Sequence, residues 1–200
     1  MTQHRPYLET PRVIVRRFEE RDIPHIVDYS THGPADEHRR RNVNWELSES
    51  GVRTWWTPMA TMPVDEATSW LSLVVEAKAL GRVVGNTGFN IKTLGDARLG
   101  MVGWFVGEAF EGNGYMTEAA SALLDYLFAD AAFHRIHART SADNVRSWRL
   151  MERLGMRREA HFVRNCRHDD GWTDEYVYAI LAEEWPRRRP VDRARETRCP

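Results

Sequence analysis

The sequence predicts a single domain of mixed α/β class. Its 200 residues, 42% of them hydrophobic, can bury one substantial core, and a small two-domain protein is not expected. Three apolar runs rich in strand-forming residues follow one another through short turns, which indicates consecutive antiparallel strands. Amphipathic helical segments lie before and after these runs, and no stretch repeats another. We therefore expect helices to flank a central sheet.

Charge and cysteine usage argue against several classes of protein. A formal net charge of -1 with mixed signs is not that of a protein built mainly to hold nucleic acid, which would show a basic excess. Cys166 and Cys199 form neither a disulfide framework nor a metal-binding spacing, so we expect no metal and a reducing compartment. There is no apolar signal region and no run long enough to cross a bilayer. We expect a soluble cytoplasmic protein without a membrane or nucleic-acid partner.

The chain is predicted to begin with a strand and a short helix. Residues 12–16 alternate in polarity, which is typical of a strand. Asp22 is a suitable N-cap for a helix that runs through Tyr29. Gly33 and Pro34 then provide a stop signal for that helix.

Residues 36–63 predict a long irregular connection. They combine a charged cluster with two prolines and three tryptophans. A connection of this length inside a compact domain is usually functional or mobile. We interpret the tryptophans as packing in the core or in a lid rather than as direct ligand contacts. These residues are Trp45, Trp55 and Trp56.

Three antiparallel strands are expected next, after a short helix at residues 65–70. The first strand begins at about Ser72, because the residues at 79–81 resemble a hairpin turn into a second strand. Gly95 and Asp96 then turn the chain into the third strand. The second and third strands are predicted at residues 83–89 and 98–106.

The stretch at residues 110–119, which we call the cradle, joins the third strand to a long helix. Gly112 and Gly114 lack side chains that would keep a ligand away from the backbone. The first turn of the helix leaves N–H groups free at the positive end of the helix dipole, which suits a phosphate. The alternative interpretation is an ordinary glycine turn. The helix is predicted from one apolar side made of Ala119, Ala120, Leu123, Leu124, Leu127, Phe128 and Ala131.

A strand and a second amphipathic helix follow the long helix. Residues 135–140 alternate in polarity and predict a strand that is buried on one side. Asp143 or Asn144 is expected to cap the next helix, and Gly155 lies where a C-terminal glycine belongs. The apolar positions of that helix are Val145, Trp148, Met151 and Leu154.

The last predicted element is a hairpin. Residues 161–167 and 172–181 predict two strands around Asp170 and Gly171, a strong hairpin signal. After Trp185 the chain is rich in arginine and poor in apolar residues. The sequence therefore predicts a domain over residues 1–185 and a disordered basic tail over residues 186–200.

Three pieces of sequence follow one another in a recognisable order and separation. They are the opening at residues 8–13 (LETPRV), residues 112–119 of the cradle (GNGYMTEA), and residues 143–156 (DNVRSWRLMERLGM). Together they resemble the GNAT superfamily of acetyl-CoA-dependent N-acetyltransferases. The likeness is strongest to the Rim-type branch of ribosomal-protein N-terminal acetyltransferases and covers residues 8–185. It implies a single domain with a mostly antiparallel sheet, splayed between the strands before and after the long helix.

The resemblance also implies a binding site for acetyl-CoA as co-substrate. The pyrophosphate is expected on the backbone N–H groups of the cradle, and the pantetheine between the strands that end near Val106 and Thr140. The residues expected to contact acetyl-CoA are Trp104, Phe105, Val106, Gly112, Asn113, Gly114, Tyr115, Met116, Thr117, Asn144 and Ser147.

Two cradle residues depart from the family pattern. The usual glutamine or arginine at the start of the signature is Glu111, and the usual small residue near its end is Met116. A carboxylate beside a pyrophosphate is repulsive unless it points to solvent. We expect these two residues to make this chain differ from its relatives.

The resemblance assigns few groups to the chemistry of acetyl transfer. A neutral amine attacks the thioester, an N–H group meets the oxyanion, and the leaving thiolate receives a proton. The oxyanion donor is expected on the main chain between Trp104 and Val106. Many relatives protonate the thiolate with a tyrosine where this chain has Met151. In the Rim-type branch a serine lies near the sulfur. Ser147 matches it and is expected to anchor the thiol or to donate the proton, with its neighbour Asn144 orienting the pantetheine or a water.

Both of these polar residues have an alternative interpretation as helix caps. The base that accepts the amine proton is also left open by the sequence. The candidates are His137, Glu108, His168 and Asp169, and a chain of water molecules is a further alternative.

The leading functional hypothesis is an acetyltransferase that acts on a primary amine, either a small molecule or a protein N-terminus. A non-catalytic CoA-binding or regulatory module of the same fold is the alternative, favoured if Glu111 and Met116 weaken turnover. A P-loop phosphotransferase is disfavoured because no Gly-Lys-Ser/Thr follows the glycines. A homodimer is expected only from the frequency of such assemblies.

Overall fold

A nine-stranded sheet forms the frame of the molecule. The computed structural model describes residues 7–31, 46, 48–168 and 171–185. In this part of the chain the strands are β1 (Leu8–Glu9), β2 (Val13–Arg16), β3 (Leu71–Ala77), β4 (Arg82–Phe89), β5 (Lys92–Leu94), β6 (Ala97–Val106), β7 (Phe133–Ser141), β8 (Arg157–His168) and β9 (Gly171–Leu181). The α-helices are α1 (Ile23–Thr31), α2 (Glu49–Thr61), α3 (Tyr115–Ala129) and α4 (Val145–Arg153).

The order of strands in the sheet is β1-β2-β3-β4-β6-β7-β9-β8, with β5 paired beside β6. Every pairing is antiparallel except that of β6 with β7. The predicted antiparallel series of three strands ahead of the cradle is confirmed as β3, β4 and β6, with β5 as a small addition. The predicted mixed α/β class is confirmed as well.

The two parallel strands separate part of the way along their length. β6 pairs with β7 only from Arg98 to Met101, which faces His137. Beyond that point residues 102–106 of β6 pair with β4, and residues 138–141 of β7 pair with β9. We call the space between these two diverging segments the fork. Along the fork, the backbone N–H and C=O groups on the facing edges of the two segments do not bond to each other.

Helices cover both faces of the sheet. The apolar side of α3 is buried as predicted except for Phe128, which is half-buried, and Ala131, which follows the end of the helix. This side shares one hydrophobic core with α4 and with alternate residues of β3 such as Leu73 and Val75. Helices α1 and α2 pack on the opposite face, where Trp56 is fully buried beside Val74. Successive side chains of β3 point to opposite faces of the sheet, so neighbouring residues of this strand belong to different hydrophobic cores.

The expectation of an irregular connection over residues 36–63 is wrong for residues 49–61, which form α2. Ser48 caps this helix by accepting the N–H of Gly51 at 3.1 Å, and the helix contains Pro58. Proline inside a helix costs a backbone hydrogen bond. Burial of one side of the helix, including Trp56, against the sheet offsets that cost. The interpretation of Trp56 as core packing agrees with its burial, whereas Trp45 lies outside the described residues.

Helix α1 starts directly after Asp22 as expected but ends at Thr31 and not at Tyr29, and the next predicted helix is shorter than expected. Helix α1 begins at Ile23 after a 3-10 turn at Glu20–Asp22, and Asp22 caps that turn by accepting the Glu19 N–H at 2.8 Å. The helix expected at residues 65–70 is only a 3-10 turn, Val64–Glu66. The predicted stop at residues 33–34 and the predicted tail at residues 186–200 lie outside the described residues.

The C-terminal elements follow the prediction closely. Asn144 is the N-cap of α4, and Gly155 after the helix has a φ of 80°, in the left-handed region that favours glycine. β8 and β9 form the expected antiparallel pair, with an irregularity between Phe162 and Cys166 where Arg164 has a φ of 50°. Asp170, at the predicted turn, is outside the described residues.

Candidate active site

The backbone of the cradle has the conformation that its glycines allow. Gly112 and Gly114 have φ values of 75° and 78°, and Gly114 is the N-cap of α3. A Cβ atom built at Gly112 would have no other heavy atom within 4 Å, so the surface above it is open. The first N–H groups of α3 have no partner within the helix and lie at its positive end. The arrangement is suited to an anion.

The side chains of Asn113 and Met116 serve the protein rather than a ligand. The Asn113 amide donates to the carbonyl oxygens of Phe110 and Glu111, both at 3.1 Å, and so closes the turn. Met116 is 7% exposed and packs in the core under α3. Because its side chain points inward, the departure from a small residue at 116 does not crowd the surface. The predicted acetyl-CoA contacts of both residues are thereby limited to their backbone.

Arg12 holds the cradle from outside, a role that the sequence did not predict. Its Nε donates to Glu118 Oε2 at 2.6 Å, its backbone N–H to Glu118 Oε1 at 2.8 Å, and its Nη1 to the Asn113 carbonyl at 2.9 Å. The guanidinium also lies 5.7 Å from the centre of the Tyr115 ring. Burial works to raise the pKa of Glu118, but hydrogen bonds from Thr10 and Arg12 hold that pKa below its usual range. Arg12 and Glu118 lie 106 residues apart in the chain, so no local pattern predicts their contact. The available signal was that each lies in one of the three pieces of sequence that carry the family resemblance.

Glu111 does not point freely to solvent. Its Oε2 lies 2.5 Å from Nη1 of Arg146, in the first turn of α4. The Glu111 side chain is 21% exposed and that of Arg146 is 79% exposed. The carboxylate that departs from the family pattern is therefore neutralised by a cation from the other side of the fork.

Residues 104–106 place their side chains on alternate faces of the sheet. Trp104 and Val106 pack toward the core under α3, whereas Phe105 packs against Tyr29 with ring centres 5.5 Å apart.

The backbone N–H groups of this segment also alternate in direction, because successive residues of an antiparallel ladder bond to opposite neighbours. The Gly107 N–H bonds to Val84, and the Met101 carbonyl bonds to Asn90, both on the β4 side. The N–H groups of Val102, Trp104 and Val106 accordingly point into the fork, and that of Phe105 does not.

Asn144 and Ser147 lie together at the start of α4. The Asn144 Oδ1 accepts the Ser147 backbone N–H at 3.1 Å, so the capping interpretation holds for Asn144. This contact leaves the Ser147 hydroxyl out of the cap. Both residues are half-buried, and α4 directly follows the β7 side of the fork. Met151, where many relatives carry tyrosine, is 1% exposed and belongs to the core.

The candidate bases lie at different ends of the fork. His137 is the last residue of β7 that pairs with β6, so it lies at the base of the fork. It is half-buried, and burial together with the positive charge of Arg135 lowers its pKa below 6.5. Glu108 follows β6 in a 3-10 turn, and within the described residues its buried Oε2 has no hydrogen-bond partner. The His168 side chain and Asp169 lie outside the described part of the chain.

Trp70 is a residue beside the fork that sequence reasoning did not select. Its Nε1 donates to the Ser72 hydroxyl at 3.0 Å. A Cβ atom built at Gly88 would lie 2.7 Å from Nε1, and one at Gly103 would lie 3.1 Å from Cη2, so the indole lies over both glycines. Gly88 pairs with Gly103 across β4 and β6. Glycines inside two strands were the available signal, because such glycines often mark a close approach.

The described residues contain neither a metal-binding cluster nor a helix that could span a membrane. No group of three or more His, Cys, Asp or Glu side chains within residues 7–31, 46, 48–168 and 171–185 is arranged to hold a metal ion. Among the helices in those ranges, none combines the length and the apolar character needed to span a membrane.

Comparison with known proteins agrees with this geometry. A family model described as an acetyltransferase (GNAT) domain matches residues 12–157. Over 179 residues the chain is 31% identical to the uncharacterized N-acetyltransferase YnaD of Bacillus subtilis. The aligned region covers 90% of this chain and 99% of that protein. It is 28% identical over 103 residues to the ribosomal protein uS5-alanine N-acetyltransferase of Escherichia coli, covering 52% of this chain and 53% of that protein.

Two solved structures are also similar. The GNAT-family acetyltransferase from Bacillus anthracis has a TM-score of 0.73 and 29% identity, covering 90% of this chain and all of that one. RimJ of Mycobacterium smegmatis, in complex with CoA-disulfide, has a TM-score of 0.72 and 25% identity, covering 87% of this chain and 84% of that one. The order of strands and the position of the cradle ahead of α3 are consistent with the match to the family model. Because that model matches residues 12–157, the chain belongs to the GNAT acetyltransferase family.

Proposed function

We propose that this N-acetyltransferase moves the acetyl group of acetyl-CoA to a primary amine by direct attack in a ternary complex. The observation that carries the proposal is the fork, which opens between β6 and β7 beside the N-terminus of α3. A cleft lined by backbone N–H groups next to an anion-binding turn suits a long ligand with a charged end and an acyl end.

The residues present fit acetyl-CoA. The N–H groups of residues 112–117 would hold its pyrophosphate, and the open surface above Gly112 leaves room for it. The backbone edge of residues 102–106 would bind the pantetheine as an added strand would be bound. The similar RimJ structure contains a CoA-disulfide, which supports a CoA ligand for this fold.

Acetyl-CoA supplies a thioester; the reaction forms a C–N bond to the amine and breaks the C–S bond. The N–H of Trp104 or Val106 would donate to the thioester oxygen, because these groups point into the fork. Ser147 would hydrogen-bond the departing sulfur and take up a proton from solvent as it gives up its own, so that CoA leaves as a thiol and the serine hydroxyl is regenerated. His137 would accept the proton that the amine loses, and its lowered pKa keeps the imidazole neutral at pH 7.

The acceptor is either a small-molecule amine or a protein N-terminus. The similar Escherichia coli enzyme acts on the alanine of ribosomal protein uS5, which supports the second class. Trp70 would line the acceptor side, because Ser72 and Gly88 pair on the face opposite α3 and its indole spans both. A cytoplasmic location remains part of the proposal. The alternative of a CoA-binding module without turnover loses one of its arguments, because Arg146 neutralises Glu111.

The proposal is tested by mixing the purified protein with acetyl-CoA and a panel of amines that includes peptides with free N-termini. Release of free thiol is followed, and acetylated products are identified by mass spectrometry. Transfer to at least one amine above the rate of hydrolysis is expected. Tight CoA binding without transfer to any member of a broad panel would favour the non-catalytic module.

Replacement of Ser147 by alanine should lower kcat by about 10- to 100-fold, because a donor to the leaving group acts mainly in the transition state. The affinity for acetyl-CoA should change little, since the cap of α4 uses the Ser147 backbone N–H and not its hydroxyl. Steady-state kinetics and calorimetric titration with CoA measure the two effects. An unchanged kcat would remove Ser147 from the mechanism.

The pH profile of kcat/KM should report His137. Burial, and then the charge of Arg135, lower the pKa of the imidazole, so its neutral form is present above a midpoint lower than 6.5. We expect kcat/KM, calculated for the neutral form of the amine, to rise with pH through that midpoint and then to level off. In His137→Gln this acidic limb should disappear and the plateau should fall by about 10- to 100-fold. If the limb survives there but is lost in Glu108→Gln, Glu108 is the base.

A further inference from the structure

The Glu111–Arg146 ion pair joins the two chain segments that continue from the sides of the fork. Glu111 follows the 3-10 turn after β6, and Arg146 lies in the first turn of α4, which follows β7. The atoms Oε2 and Nη1 are 2.5 Å apart. The pair therefore connects the cradle to the opposite side of the fork.

The charges of this pair matter because Glu111 directly precedes the cradle N–H groups. A diphosphate on those groups would carry about two negative charges and would be repelled by an unpaired carboxylate. Arg146 cancels the carboxylate charge, but its side chain is 79% exposed, and exposed ion pairs are weak. The bond between the two is thus easily exchanged for a stronger one.

The two arginines near the cradle differ in how firmly they are held. Arg12 makes bonds to both oxygens of Glu118 and to the Asn113 carbonyl. Among the described residues, Glu111 is the one ion-pair partner of Arg146. A guanidinium binds a phosphate through two parallel hydrogen bonds, which a doubly charged ligand strengthens. Arg146 is therefore the arginine that can change partner.

We propose that Arg146 binds the diphosphate of CoA and that Glu111 is its competitor in the unliganded protein. The diphosphate replaces the Glu111 carboxylate as the partner of Arg146, and Glu111 turns away from the added negative charge. We call this ion pair the latch, because it joins the two sides of the fork and opens when the diphosphate of CoA takes the place of Glu111. This inference rests on the proposed function, because it assumes that CoA occupies the cradle.

A latch of this kind makes the two substitutions act in opposite directions. Glu111→Gln removes the repulsion and frees Arg146, so CoA should bind about 3- to 10-fold more tightly. Arg146→Gln removes a charged donor and leaves the carboxylate uncompensated, so CoA should bind about 5- to 30-fold more weakly. An ion pair that only stabilised the fold would weaken binding in both variants.

Calorimetric titration of the full chain with CoA and with 3′-dephospho-CoA tests the inference. Arg149→Gln is the matched control, because Arg149 is an exposed arginine of the same helix that lies 5.5 Å from the Trp148 ring and, among the described residues, forms no ion pair with Glu111. It should change the CoA affinity by less than about 2-fold. The opposite effects at 111 and 146 should persist with 3′-dephospho-CoA, which retains the diphosphate.

Besides weaker binding by both variants, three outcomes would overturn the latch. Equal affinities of Glu111→Gln, Arg146→Gln and wild type would show that the pair has no role in CoA binding. Tighter binding by Arg146→Gln would make the pair a simple barrier, and loss of both effects with 3′-dephospho-CoA would move the contact to the 3′-phosphate. In each of these cases wild-type CoA binding leaves the proposed function standing, whereas a wild-type protein that binds no CoA overturns both.

Discussion

Replacement of Gly114 by valine should abolish CoA binding while the domain stays folded. Gly114 has a φ of 78° at the N-cap of α3, a conformation that β-branched residues rarely adopt. A Cβ atom there would lie 3.2 Å from Nη2 of Arg12, so the side chain would disturb the arginine that holds the cradle. We expect CoA affinity to fall by at least about 100-fold, because strain and displacement act on the same N–H groups. Calorimetric titration with CoA measures the effect.

Gly81→Val is the matched control for this prediction. Gly81 has a φ of 58° in the turn between β3 and β4, and a Cβ atom there would meet nothing within 4 Å. Both variants should lose a similar amount of thermal stability through backbone strain, but the Gly81 variant should keep its CoA affinity. Retention of CoA binding by Gly114→Val would move the phosphate site away from the cradle.

Replacement of Arg16 by methionine should destabilise the protein by about 3–5 kcal/mol, because it leaves a buried carboxylate without its cation. Arg16 is 6% exposed and Asp22 is 1% exposed. The Arg16 guanidinium donates to both oxygens of Asp22 at 2.8 Å and to Glu76 at 2.7 and 2.9 Å. Burial works to lower the Arg16 pKa, but these hydrogen bonds raise it above its ordinary value. Urea unfolding followed by circular dichroism gives the loss of stability.

An exposed arginine provides the comparison for this experiment. Arg53 bonds to Glu20 at 2.6 Å, yet the two side chains are 51% and 63% exposed. Arg53→Met should cost at most about 1 kcal/mol, because water already solvates both charges. The double variant Arg16→Met with Asp22→Asn should recover part of the lost stability, since the fully buried partner then carries no charge and Glu76 is partly exposed to water. A loss below about 1 kcal/mol for Arg16→Met alone would show that water reaches Asp22.

Much of the fold was predictable because its elements have strong local signals. β3, β4 and β6 are apolar and bounded by turns, and α3 has one apolar side, so periodicity identified them. Helix α2 was missed because Pro58 and its polar residues weaken the local helical signal. Burial of Trp56 and Val52 against the sheet decides that helix, and such tertiary burial leaves no short-range pattern.

Some features of the candidate site were predictable from local sequence, and others depend on tertiary contacts. The glycines of the cradle and the Asn144 cap were predicted because backbone conformation and capping depend on neighbouring residues. Trp70 was not predicted, because its role depends on glycines in two other strands that pairing brings beneath it.

The sequence by itself determined the mixed α/β class, the glycine turn before α3 and the resemblance that the family match confirmed. Only the tertiary structure decided which charges meet at the cradle: Arg12 with Glu118, 106 residues apart, and Arg146 with Glu111 across the fork. The reason is physical. Turn geometry and helix capping involve residues within a few positions of each other, whereas an ion pair depends on distance in space, which the pairing of distant strands sets.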